Sequence, residues 1–163
     1  MTRNIDPTTR LATDYLNHFN EIIMLLELVS DMPECFEDCL DWHPKSYQDH
    51  FRDSGFADRE AAIRAYESAP ARYRRPFDET VARMNETVSA GLAAVRAAIA
   101  SGEPSGARRE VEEILSRLRA DVERTGAIIH GRIGVEGPNT VEPDETAAKG
   151  VLDQAAIDGL FND

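Results

Sequence analysis

Cysteine is nearly absent from this chain. Cys35 and Cys39 are the only two in 163 residues, four apart in a helical context where bridge geometry is poor. That excludes a disulfide framework and predicts reduced thiols. No apolar run approaches the ~18 residues of a membrane span, and the opening MTRNIDPTTR lacks the apolar core of a secretory signal. A cytoplasmic protein away from membranes is the expectation. Positive charge is scarce, with 18 Lys and Arg against 30 Asp and Glu and a formal net charge of −12. A surface of that sign repels duplex nucleic acid and anionic lipid, so neither is an expected partner. Alternating β-branched stretches are missing as well, which removes the signature of strands.

What is present is helical periodicity. Asp6 is placed to cap and Pro7 to open a first long helix, in which Leu11, Tyr15, His18, Ile22, Leu25 and Val29 recur at helical spacing. Between Asp31 and Pro70 the pattern breaks into PECFEDCLDW, PKSYQDHFRDSG and DREAAIRAYES, each bounded by Pro or Gly, which predicts three short helices. A second long helix is expected to start after Arg75, with Pro76 in its first turn and a stripe of Phe77, Val81, Met84, Val88, Leu92, Val95 and Ile99. SGEPSG then reverses the chain into a third, carrying Val111, Ile114, Leu115, Leu118, Val122 and Ile129. The fold class is all-α: a helical bundle over residues 1–130 containing a long antiparallel hairpin.

From Gly131 the composition changes. GRIGVEGPNTVEPDETAAKG holds four Gly and two Pro among scattered acids, which reads as a flexible acidic linker over 131–149. About twenty such residues span on the order of 25 Å. The last segment, 150–163, is patterned again. As a helix capped by Asp153 it sets Leu152, Ala156, Ile157, Leu160 and Phe161 on one side and Gln154, Asp158 and Asn162 on the other. A helix this short does not stand alone in water, and Gly159 weakens it further. It needs a surface to fold against, either its own bundle as a last helix or a partner's groove.

The stretch VLDQAAIDGLFND resembles the N-terminal peptide of the flagellar switch protein FliM, whose pattern L-S-Q-x-E-I-D-x-L-L binds the phosphorylated chemotaxis response regulator CheY. It is also similar to the C-terminal peptide of the chemotaxis phosphatase CheZ, which hangs from a helical bundle by a linker. Leu152, Gln154, Ile157, Asp158, Leu160 and Phe161 match, with Phe161 standing for the second leucine. Asp153 keeps the cap, whereas Ala156 loses its glutamate partner and Gly159 replaces a helix former. The resemblance implies a chemotaxis or motility protein that binds a CheY-like response regulator through this peptide. The bundle would then act as a phosphatase, a phosphotransfer module or a non-catalytic adaptor.

A phosphatase needs an amide or similar group to place the attacking water and a neighbouring acid. The CheZ pattern D-x-x-x-Q is absent, since Gln48 and Gln154 follow Pro44 and Gly150 at that spacing. The E-x-x-N pattern of the CheC and FliY families has a loose counterpart in Asp14-Tyr15-Leu16-Asn17, with His18 and Glu21 on the same surface. Asp14, Asn17 and His18 are therefore the candidate catalytic residues, set against the commoner solvated Asp and Asn and the commoner core histidine. His50-Phe51-Arg52-Asp53-Ser54-Gly55 echoes a phosphotransfer H-x-x-K-G setting, with aspartate in place of lysine and the glycine displaced. Cys35, Cys39 and His43 recur every four residues and offer a weak metal pattern without a fourth ligand. Arg72, Arg74 and Arg75 form the one basic cluster and could meet an acidic partner surface. No metal or cofactor of the chain's own is expected; any Mg2+ would be carried by the partner. Dimerisation through the hairpin stays open.

Overall fold

In the computed structural model, residues 5–55 and 57–132 are described, Pro104 through its backbone alone. They hold six α-helices: α1 (Asn17–Asp31), α2 (Phe36–Cys39), α3 (Tyr47–Asp53), α4 (Arg59–Glu67), α5 (Ala71–Ala100) and α6 (Pro104–Ile129). No strand occurs among the described residues, and the all-α bundle expected from periodicity is what forms. None of these helices is long and apolar enough to cross a membrane. The expected linker beyond Arg132 lies outside the described residues, as do Leu152, Gln154, Ile157, Asp158, Leu160 and Phe161.

The first helix begins later than its sequence signals suggest. Asp6 does cap, its Oδ1 accepting the amides of Thr8 and Thr9 at 2.8 and 3.0 Å. The turn it starts is not continued, because Arg10 adopts a left-handed φ of 67°. Thr9 explains the interruption: its buried Oγ1 donates to the Ile129 carbonyl at 2.6 Å, which ties the segment to the end of α6. A tertiary bond has displaced the local helix. The chain resumes as a 3-10 turn over Thr13–Leu16 and enters α1 at Asn17.

The second long helix starts earlier than expected, at Ala71, so Pro76 lies inside it. The bond Pro76 cannot donate would go to the exposed Arg72 carbonyl, where water substitutes, so the cost is local. Two features hold the extra turn. Tyr73 is buried, and the Arg74 Nη1 donates to the Tyr66 and Glu67 carbonyls, both at 3.2 Å, closing the C-terminal end of α4.

The long helices reverse through Ser101–Glu103. The Glu103 amide donates to the Ala98 carbonyl and the Gly102 amide to Ile99, a Schellman pairing that needs the φ of 78° Gly102 supplies. Beyond the turn α5 and α6 run antiparallel. Ala98 meets Gly106, Gly91 meets Ile114, and Arg83 forks onto Asp121 at 3.1 and 3.2 Å. Met84, Val88 and Val95 on α5 and Val111, Ile114 and Leu118 on α6 are buried, whereas Ile99 near the turn is exposed.

The third layer is α1, which packs on α6 and pairs Glu27 with Arg119 at the surface. Phe19, Ile22 and Leu26 lose all exposure there. Each such side chain contributes roughly 1.5–3 kcal/mol. The short helices join this frame through rings. Tyr15 and Phe19 contact Trp42 and Tyr47, Tyr47 stacks on Tyr66 of α4 at 4.4 Å, and Tyr66 reaches Phe77 of α5. One continuous aromatic cluster thus fastens residues 42–66 to the start of α1 and to α5. It also sets the geometry of a polar cleft.

Candidate functional site

The cleft is built by two segments that each lend a tyrosine to the other's backbone. In the turn before α1, Tyr15 points inward and donates its hydroxyl to the Lys45 carbonyl at 2.7 Å. In return, the Tyr47 hydroxyl accepts the buried Ala12 amide at 2.8 Å. Burial pushes both phenols well above their ordinary pKa, so they stay neutral. The register of residues 12–18 against α3 is therefore set by side chains that carry no charge.

That register brings Asp14 to His50. With Tyr15 and Leu16 buried, Asp14 and Asn17 are left together on the outer face of the turn. The Asn17 Nδ2 donates to Asp14 Oδ1 at 3.3 Å. On the other side, α3 is capped by Ser46, whose Oγ accepts the Asp49 amide at 3.0 Å. With Tyr47 and Phe51 turned to the core, His50 sits at the rim and its Nε2 meets Asp14 Oδ2 at 3.1 Å. One carboxylate thus holds an amide on one oxygen and an imidazole on the other.

His18 lies one residue further on and is 6% exposed. Its ring stacks on Trp42 at 4.5 Å, and the Trp42 Nε1 donates to the His18 carbonyl at 2.8 Å. The His18 Nε2 has no hydrogen-bond partner among the described residues. Burial, helped by the charges of His50 and Lys45, lowers its pKa to about 4. The ring is neutral at physiological pH. Of the expected trio Asp14, Asn17 and His18, the first two touch and the third borders the same space as a buried core residue.

The cleft has a volume of about 260 Å³, and Asn17, His18, Glu21, Lys45, His50 and Asp53 line it. Lys45 pairs with Asp53 at 3.2 Å, so the charge without an ion-pair partner among the described residues is Glu21. The arrangement offers an oriented imidazole, an oriented amide and a net negative rim. Those are the parts of an acid–base site. The sequence pattern puts His50 in a phosphotransfer-like setting and gives no sign that it meets Asp14. Nothing in the local pattern connects residues 36 apart, and the His50 side chain is 13% exposed with its Nε2 engaged by Asp14.

The other candidates fall away from this site. Cys35 ends a 3-10 turn, Cys39 ends α2 and His43 lies beyond both, so no single helical face carries the three. Burial, reinforced by Asp38, pushes the Cys39 thiol up to about 11, which disfavours a thiolate ligand. Among the described residues no group of three potential ligands converges on a metal position. In the basic cluster, Arg74 is spent on α4 carbonyls and on the Tyr66 ring, and Arg72 lies over Tyr73 at 4.7 Å. Comparison with protein-family models, curated proteins and solved structures finds no match to this chain.

Proposed function

We propose that this chain is a signalling protein that recruits a CheY-like response regulator with residues 152–161 and promotes loss of its acyl phosphate at the Asp14–Asn17 cleft. The observation that carries the recruitment is the order Leu152, Gln154, Ile157, Asp158, Leu160, Phe161, an apolar face with polar marks at the spacing of a response-regulator ligand. Support for the chemistry is the Asn17 amide in contact with the Asp14 carboxylate at a cleft rim, the pairing such a reaction needs to place water. Recruitment supplies the affinity and the cleft supplies the orientation. Arg75, exposed at the start of α5, and Arg72 beside it suit an acidic partner surface.

The test has two stages. Residues 148–163 as a peptide, and then the full chain, are titrated against CheY-type regulators with and without an acyl-phosphate mimic. Saturable binding that strengthens with the mimic supports recruitment; absence of binding at high micromolar concentration removes it. Phosphoryl loss from the bound regulator is then followed with wild type and Asn17→Ala. A basal decay that wild type does not accelerate would leave an adaptor.

A further inference from the structure

We propose that His50, oriented by Asp14, is the general base of the cleft and takes a proton from the water that attacks the recruited regulator's acyl phosphate. The inference rests on the reading above and adds a catalytic residue to it.

The first argument is the division of labour on Asp14. Its Oδ2 takes the His50 Nε2, so the tautomer with hydrogen on Nε2 is favoured and the lone pair sits on Nδ1. Nδ1 has no partner among the described residues. Its Oδ1 takes the Asn17 Nδ2, which turns the amide oxygen away from the carboxylate. Asp14 thereby anchors two residues that both line the cleft, and a water held there that donates a hydrogen to His50 Nδ1 keeps its oxygen lone pair free for phosphorus.

The second argument is rigidity. The His50 ring meets Tyr15 edge-on at 5.4 Å and 88°, and Phe51 at 5.0 Å and 86°. Tyr15 is itself tied to the Lys45 carbonyl, so the ring's surroundings are fixed before any partner arrives. The third is charge. His50 is faced by Asp14, His18 and Glu21 from the α1 side, by Lys45 from the loop before α3, and by Asp53 on its own helix. The neutral His18 ring, 6.3 Å away, places no positive charge beside it. A base in this setting can accept a proton without a cationic neighbour other than Lys45, which Asp53 already balances.

The step closes on its atoms. The water oxygen bonds to phosphorus as the bond from phosphorus to the partner's carboxyl oxygen breaks. The electron pair of that bond stays on the carboxylate, and His50 takes the water proton and returns it to phosphate or solvent. The products are inorganic phosphate and the free carboxylate. Asp14 touches neither substrate nor water and is a positioning residue.

The experiment uses the full chain and a regulator it has been shown to bind. Single-turnover phosphoryl loss is measured at saturating protein with wild type, His50→Gln and Asp14→Asn, with Trp42 fluorescence verifying that each variant is folded. His50→Gln should lose about a hundredfold in rate while regulator affinity is unchanged. Asp14→Asn should lose less, because the base remains and only its anchor is weakened. In His50→Gly, added imidazole should restore part of the lost rate. A His50→Gln protein with wild-type rate, or a His50→Gly protein that imidazole does not rescue, would overturn the base assignment alone. Binding without acceleration by wild type would overturn the assignment and the phosphatase reading together, with recruitment intact.

Discussion

Acidification should weaken this fold in part through one buried ring, His18. The His18 imidazole is buried against Trp42 with an unpartnered Nε2, and its folded pKa is lowered from 6.5 to about 4, first by burial and then by His50 and Lys45. Below the unfolded value the unfolded chain takes up a proton that the folded chain refuses. The stability at stake is complete above pH 6.5 and is lost progressively as the pH falls toward 4. Proton linkage with these two values gives a loss of about 2 kcal/mol at pH 5 and about 3 kcal/mol near pH 4. Carboxylates add their own acid sensitivity, so the informative quantity is a difference. The chain has one tryptophan, Trp42, whose ring stacks on His18 and reports the unfolding of this region. Urea titrations followed by its emission, at about pH 7.5 and about pH 5, should show wild type losing roughly 2 kcal/mol more than His18→Phe, which keeps an aromatic ring there and cannot titrate. Equal losses in the two proteins would refute the reasoning, because the acid sensitivity would then arise elsewhere.

Two further outcomes test the frame. Gly91→Ala gains helix propensity of ~1 kcal/mol, yet the new methyl would meet the Ile114 side chain well inside contact distance, so a net loss of about 1–2 kcal/mol is expected. Combined with Ile114→Ala it should cost less than the sum of the single changes in a urea double-mutant cycle; strict additivity would show that the two helices do not meet there. Tyr47→Phe strips the buried Ala12 amide of its acceptor and should cost about 1–3 kcal/mol by the same unfolding assay, with no change of fold by circular dichroism.

Helix content was legible because apolar residues recur at helical spacing: His18, Ile22 and Val29 are buried on α1 as that spacing implied, while Leu25 is half-buried and Leu26 takes the core position beside it. Helix starts were less so. Asp6-Pro7 is a sound local start signal, but a Thr9 bond to Ile129, 120 residues away, overrode it. Pro76 looked like a first-turn residue, and the extra turn before it depends on Tyr73 burial and on Arg74 reaching another helix. At the cleft, Asp14 and Asn17 could be read together because three residues make them neighbours on any helix-like turn. His50 could not be joined to them, since its approach is dictated by tyrosine bonds spanning 30 and 35 residues. The region 31–70, whose role the sequence left open, turns out to carry one wall of the cleft and the rings that hold it.

The exchanged tyrosines have a consequence for how the cleft can come apart. Because Tyr15 clasps the loop before α3 and Tyr47 clasps the Ala12 amide ahead of the 3-10 turn, loosening either segment breaks a bond to the other. Asp14 and His50 are then lost or kept as one unit. The pairing of Asp14 with His50 should therefore appear only once α3 has docked, and slow hydrogen exchange of the Ala12 amide would mark that moment.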